Sequence, residues 1–191
     1  MGTLTDHEIK RRCIPDSEHD GDFQTLLNPF SPFKHAGPPS WGLSSCGYDV
    51  RLGPNFLDFE ELHQEAEPLH PTTIDRWDVT SNKGVTSWIM DPNAFILAET
   101  VETFHMPADV YATVHDKSSW IRLGLAVHNT VIEPGWHGKL TLELKNLNPT
   151  RRIMVRPGEG IAQVIFHKIG VPDAVYEGSY QDATGVDIPH G

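Results

Sequence analysis

A carboxylate in the middle of an amphipathic strand is the first group in this chain suited to chemistry. Between Gly138 and Asn146, Leu140, Leu142 and Leu144 alternate with Lys139, Thr141, Glu143 and Lys145. That is the period of a half-buried strand, with Glu143 on the face opposite the leucines. There Glu143 is either a solvated outer-face residue or a proton-transfer group beside Thr141. A second cluster stands upstream, Lys117-Ser118-Ser119-Trp120-Ile121-Arg122. It reads as one helical turn from Ser118 to Leu123, with Ser118 as N-cap and Gly124 as the stop. The free N–H groups of such a turn attract anions, Lys117 adds a point charge, and Arg122 falls on the same face as Ser118. Spacing alone leaves two readings open: phosphate binding, or an ordinary capped turn with solvated cations.

Metal chemistry has a weaker signal. His63-Gln64-Glu65 has the His-x-Glu spacing of zinc deaminases, but such a site also needs a Pro-Cys-x-x-Cys segment. The chain has two cysteines, Cys13 and Cys46, far apart in sequence, so no zinc site is expected. Eleven histidines form no paired constellation, and His115, His128 and His137 read as polar rim around the core motifs.

A net charge of −11 over 191 residues argues against nucleic acid as a partner, because the basic stripe such binding needs is missing. A small phosphorylated ligand asks only for a local group of cations. Two cysteines make no disulfide framework and point to a reducing compartment. With no signal peptide and no apolar run of membrane length, the expectation is a cytoplasmic protein without a membrane partner.

The elements that must position these groups are mostly strands. Thr5 to Cys13 predicts a short helix, with Thr5 and Glu8 as a capping box and Leu4 and Ile9 as a staple. Ile14 to Gly42, rich in Pro, Gly, Ser and Asp, predicts loops and one short turn of helix. Cys46 to Leu52 predicts a strand with Tyr48 and Val50 on one face and Asp49 and Arg51 on the other, the last two as a buried structural pair. Asn55 to Ser87 carries Asp58, Glu60, Glu61, Glu65 and Glu67 and reads as a solvated excursion. Trp88 to Phe104 and Val110 to His115 predict strands, bounded by Asp91-Pro92 and Met106-Pro107-Ala108. About four more follow Leu125, punctuated by Pro134-Gly135 and Pro157-Gly158. The pattern is all-β with a few short helices, a sandwich or barrel in a single domain without internal repeats.

Three runs, KSSWIRLGL from Lys117, IEPGWHGKLTLELKN from Ile132 and PGEGIAQVIF from Pro157, resemble the core motifs of the dCTP deaminases, within the dUTPase superfamily. The likeness extends to Leu4-Thr5-Asp6, Ser44-Ser45-Cys46-Gly47-Tyr48-Asp49-Val50-Arg51, Pro92-Asn93 with Phe95 and Leu97-Ala98, and Tyr180-Gln181 with Gly185-Val186. It covers most of the chain and is weakest from Phe56 to Trp88. The resemblance implies a distorted jelly-roll-like β-barrel of the dUTPase type. It would span residues 1–191, with a helix and loops over 1–43, the barrel over 44–169 and a C-terminal lid over 170–191.

It also implies an activity, hydrolytic deamination of a deoxycytidine nucleotide, dCTP first and dCMP a close second. Glu143 would be the general acid and base, Ser118 would hold the water, and Arg122 would orient Glu143 near the reacting centre. Lys117, Ser118 and Ser119 would bind phosphates, Glu133 the sugar 3′-hydroxyl, and Thr141 the base edge. Thr130 and Gln181 would join the substrate contacts and Tyr176 would help close the site. Mg²⁺ would accompany the nucleotide phosphates rather than occupy a protein cage. Family members are homotrimers with active sites between subunits.

Two alternatives remain on the same scaffold. In a dUTPase or a bifunctional deaminase and diphosphatase, Glu133 would activate water against phosphorus. In a non-catalytic nucleotide-binding regulator, Lys117, Ser118, Arg122 and Glu143 would have no reason to occur together. The lid departs from the family, whose usual Lys-Tyr-Gln-Gly-Gln-(Lys/Arg)-Gly stands here as Ser179-Tyr180-Gln181-Asp182-Ala183-Thr184-Gly185. Ser179, Ala183 and Thr184 cannot supply the usual triphosphate contacts.

Overall fold

The computed structural model describes residues 2–15, 24–37, 39–59 and 79–189. Their elements are β1 (Gly2–Thr3), α1 (Asp6–Arg11), β2 (Leu27–Asn28), β3 (Lys34–His35), β4 (Trp41–Ser44), β5 (Gly47–Phe59), β6 (Val79–Asn82) and β7 (Trp88–Met90). There follow β8 (Phe95–His105), β9 (Val110–Asp116), α2 (Ser118–Ile121), β10 (Leu125–His128), β11 (Val131–Ile132), β12 (His137–Asn146), β13 (Ile153–Val155) and β14 (Gly160–Lys168). The expected all-β architecture with short helices is what the chain adopts.

β5 organises the sheet. Its first half pairs antiparallel with β14, Asp49 opposite Gln163, and its second half with β8, Leu57 opposite Leu97. One strand therefore belongs to both walls of a curled sheet whose order runs β10-β12-β8-β5-β14-β9-β11. Breaks in register between Leu52 and Phe56 and between Gly160 and Ala162 mark where the strands bend around the core. The core fills the concave side with Tyr48, Val50, Leu52, Phe56, Phe104, Leu142, Leu144 and Phe166, all fully buried.

Local signals hold well at the N-terminus. Thr5 and Glu8 form the reciprocal capping box, and Leu4 and Ile9 are both buried in the core cluster. Elsewhere the structure corrects the expectations. Among the described residues of Ile14 to Gly42 no helical turn forms; three short strands pair along the sheet instead. The stretch predicted as a solvated excursion begins inside the barrel, since Asn55–Phe59 continues β5 and pairs with β6 and β8. The rest of the acidic run and His63-Gln64-Glu65 lie outside the described residues. The predicted strand from Trp88 is divided at Asp91-Pro92. β7 pairs with β13 in a separate ribbon, and β8 takes the central place beside β12.

Asp49 and Arg51 are not partners. Arg51 donates from Nε and its backbone N–H to the buried Glu102, at 2.8 and 2.9 Å, and stacks on Trp41. Asp49 instead accepts from Lys34 and Lys117. Alternation placed both side chains on one face correctly; which charge each would meet depended on strands distant in sequence. Cys13 and Cys46 are free thiols, and burial pushes Cys13 up to about 12. Among the described residues, no helix is long and apolar enough to cross a membrane.

Candidate active site

β12 carries the centre of the site. It lies between β10 and β8, with Glu143 opposite His128 on one side and Leu97 on the other. A register shift between Lys139 and Thr141 brings Thr141 opposite Glu99. Leu142 and Leu144 turn into the core, as the alternation predicts. Glu143 is only partly exposed, so the solvated outer-face reading does not hold. It lines a cavity of about 780 Å³ together with Lys139 and Thr141.

Asn129, in the link between β10 and β11, closes one side of this cavity. Its Nδ2 donates to Glu143 Oε2 at 3.2 Å and to the Thr141 carbonyl at 3.1 Å. Burial among Phe95, Leu97 and the strand backbone holds the Glu143 carboxyl above the ordinary carboxylate range. A carboxyl raised by burial gives up its proton less readily than an exposed one and takes one up more readily as a base, which suits a group that takes and returns protons. Asn129 was not foreseen, since an asparagine in a short interstrand link carries the same sequence signal as any turn asparagine.

The segment that follows adds Thr130 and Glu133 to the same cavity. Pro134 and Gly135 make the expected turn, Gly135 at φ +81°, and Val175 packs where a Gly135 Cβ would stand. The C-terminal stretch after β14 then crosses the mouth. Tyr176 N–H donates to the Pro134 carbonyl at 2.8 Å, Trp136 Nε1 to the Tyr180 carbonyl at 2.8 Å, and Lys139 N–H to the Ala183 carbonyl at 2.7 Å. Asp187 N–H donates to Thr141 Oγ1 at 3.2 Å. Tyr176, Tyr180 and Asp187 all line the cavity, so this stretch lies over it as a lid.

Gln181 serves the lid itself. Its amide donates to the Gly135 carbonyl at 2.9 Å and accepts from His137 N–H at 3.2 Å. Asp182 beside it pairs with His137 at 2.7 Å. Among the described residues, no three His, Cys, Asp or Glu side chains converge as a metal cage.

The upstream cluster stands apart from this cavity. Lys117, not Ser118, is the N-cap of α2; its backbone is extended and makes no side-chain cap. Ser118 is thus the first helical residue, and the helix closes at Ile121, one turn before Gly124 at φ +98°. Trp120 anchors the turn, donating from Nε1 to the Gly160 carbonyl at 2.8 Å. Ser118, Ser119 and Arg122 are exposed, and Lys117 is held on Asp49. Within one chain, none of these four lines the cavity of Glu143, whereas Thr130, Glu133, Thr141 and Tyr176 do.

The family model for dCTP deaminase-like domains matches residues 19–169. A dCTP deaminase of Nautilia profundicola is 38% identical over 163 residues, 83% of this chain and 84% of that protein. One of a Sulfurovum species is 38% identical over 194 aligned residues, 99% of this chain and 97% of its own. Among solved structures, the 2′-deoxycytidine 5′-triphosphate deaminase of Agrobacterium tumefaciens superposes with a TM-score of 0.59 at 22% identity. That match covers 88% of this chain and 47% of the other, so this chain spans about half of that protein. At that identity the likeness speaks for the barrel fold alone.

Proposed function

The chain belongs to the dCTP deaminase-like family, and from that premise we propose that it hydrolyses the exocyclic amine of a deoxycytidine nucleotide. The first substrate is dCTP, giving dUTP and ammonia; dCMP is the second. What carries the reading is Glu143, a half-buried carboxyl with a raised pKa, facing a cavity large enough for a nucleoside.

Water adds at the amine-bearing ring carbon, and its oxygen becomes the new carbonyl. Glu143 takes a first proton from that water and passes it to the ring nitrogen. It then takes the second from the hydroxyl now on the ring carbon and gives it to the amine, which leaves as ammonia as the carbonyl forms. Asn129 holds one carboxylate oxygen and leaves the other for the reacting atoms. Thr141 reads the base edge, Glu133 takes the sugar 3′-hydroxyl, Thr130 adds a further substrate contact and Tyr176 closes the mouth.

Ser118, which would hold the water, and Arg122 stand outside this cavity in a single chain. A homotrimer accounts for that separation: the α2 turn of one subunit, with Lys117 and Ser119 for the phosphates, completes the Glu143 cavity of its neighbour. Gln181, bonded to Gly135 and His137, keeps the lid seated over the substrate. Mg²⁺ would accompany the nucleotide, held by its phosphate oxygens rather than by protein side chains. The substrate is a small cytoplasmic nucleotide.

Glu133 favours a second reading, because it lines the same cavity and, by the resemblance of its motif, corresponds to the acid a dUTPase would use. One assay separates the two. Given dCTP, dCMP and dUTP in turn, the protein should release ammonia from the cytosine nucleotides. Pyrophosphate from dUTP without ammonia from either cytosine nucleotide would replace the deaminase reading with the dUTPase one; both products together would make it bifunctional.

A further inference from the structure

Asp49 is 1% exposed and holds two cations where one would satisfy it. Its Oδ2 accepts from the ammonium of Lys117, the residue just before Ser118, and from that of Lys34. Lys34 comes from a different part of the sheet. β3 pairs with β4, and β4 sets Gly42 opposite Asp49. It also lies outside the runs of this chain that resemble the family's motifs.

Neutralising a buried carboxylate needs a single partner, and Lys117, 11% exposed, supplies it. Lys34 is 38% exposed, so it is the member of the pair that presents donors to solvent. Each ammonium has three N–H donors, and Asp49 engages one of each. The cluster therefore carries one net positive charge and, among the described residues, several donors that meet no other acceptor, in a chain whose total charge is −11. Two close ammonium groups repel one another unless an anion lies between or beside them. Asp49 supplies that anion from below; a phosphate group, with its multiple charge and acceptor oxygens, matches the open side.

We propose that Lys34 binds the nucleotide's phosphate chain beside Lys117, with Asp49 as the buried anchor that holds both ammonium groups in register. This rests on the reading that phosphates dock at Lys117, and it supplies a cation where the lid has Ser179 in place of lysine. Lys34 then sets preference by phosphate charge and has no part in the proton transfers at Glu143.

Inorganic triphosphate tests it without turnover. Calorimetric affinity for triphosphate should fall about tenfold in Lys34→Met, recover to within about threefold in Lys34→Arg, and weaken with added salt. In parallel, KM for dCTP should rise about tenfold in Lys34→Met while kcat changes less than about threefold. Lys34→Met leaves Asp49 paired with Lys117, so a melting temperature near wild type is expected. Equal triphosphate affinity in wild type and Lys34→Met, or no triphosphate binding by wild type, overturns the proposal. If Lys117→Met weakens binding and Lys34→Met does not, Lys34 alone is wrong and phosphate docking at Lys117 stands. Loss of ammonia release from every deoxycytidine nucleotide in wild type would strike the proposed reaction instead, and the triphosphate titration would still decide on Lys34.

Discussion

One amide joins Asn129 to Glu143: Nδ2 donates to Oε2 at 3.2 Å while it also donates to the Thr141 carbonyl at 3.1 Å. The bond ties the only carboxyl on the polar face of β12 to the backbone of its own strand. In the proposed reaction the carboxyl accepts and returns protons from one place, and this contact fixes one of its two oxygens.

Glu143→Gln should fold, bind nucleotide and lose deamination. Glutamine keeps the shape and the hydrogen bond from Asn129 but cannot carry a proton. A loss of ~10²–10⁴-fold in kcat is expected, read as ammonia released from dCTP. Near wild-type release would remove Glu143 from the mechanism.

The pH profile should carry the mark of burial. The base form of Glu143 is the carboxylate, and burial makes that form harder to reach. The acid limb of kcat should therefore lie above the range of an exposed glutamate. Asn129→Ala removes a donor that favours the charged form and should move that limb to still higher pH. For stability the sign is the same. A carboxyl with a raised folded pKa stabilises most below its unfolded pKa, and that contribution is lost as pH rises through the folded value. Glu143→Gln should accordingly raise the melting temperature at pH 8 relative to wild type by more than at pH 4. An unmoved limb in Asn129→Ala, together with a pH-independent stability difference, would show Glu143 titrating as an ordinary surface group.

The buried ion pair of the barrel seam makes a stability prediction. Glu102 is fully buried and Arg51 is its partner, through Nε at 2.8 Å and backbone N–H at 2.9 Å. Burial pushes the Glu102 carboxyl upward and Arg51 opposes it. Glu102→Ala leaves the guanidinium without its anion, so a cost of about 3–5 kcal/mol is expected, measured by urea unfolding. A cost below about 1 kcal/mol would mean that the Trp41 stack alone holds Arg51.

Arg51 also shows where sequence reading stops. Alternation in β5 gave the faces of Asp49 and Arg51, and alternation in β12 gave the face of Glu143, because a two-residue period is a local property. Partners are not local. Glu102 and Lys34 reach β5 from strands brought alongside only by the curled sheet. The Ser118 cap failed for a similar reason: Trp120, fixed by the Gly160 carbonyl, sets where the turn begins. The lid's seat on β12 was not legible either. Two of its bonds to β12 are backbone to backbone, which any sequence provides, and others join Gln181, Asp182 and Asp187 to His137 and Thr141, partners distant in sequence.

Exhaustive zinc chelation should leave activity intact, while removal of divalent ions that accompany phosphates should reduce it. The motive is the missing cysteine pair and, among the described residues, the lack of a converging ligand set. Stoichiometric zinc found by elemental analysis, with activity lost on its removal, would refute the protonic mechanism at Glu143.

Discrimination for a triphosphate over a monophosphate should be weaker here than in relatives with the usual lid. Ser179 and Ala183 stand where a lysine and a glutamine would each give a hydrogen bond to a charged group, worth roughly 1.5–3 kcal/mol apiece. Losing both costs on the order of 3–6 kcal/mol of triphosphate-specific binding, and less in practice because such terms seldom add fully. The lid cannot easily recover them. Gln181 is spent on Gly135 and His137, and Ala183 gives its carbonyl to Lys139 N–H. Arg152 and Arg156 do not line the cavity; they face Asp91 at 3.7 Å and Glu159 at 3.6 Å. What persists is the cation pair at Asp49, which in the proposal above would hold a phosphate group whatever the length of the chain behind it. The measurement is kcat/KM for dCTP, dCDP and dCMP at one Mg²⁺ and salt concentration. The ratio of dCTP to dCMP should stay below about a thousandfold, roughly 4 kcal/mol. A larger ratio would mean that the altered lid, or groups from a neighbouring subunit, still read the terminal phosphates.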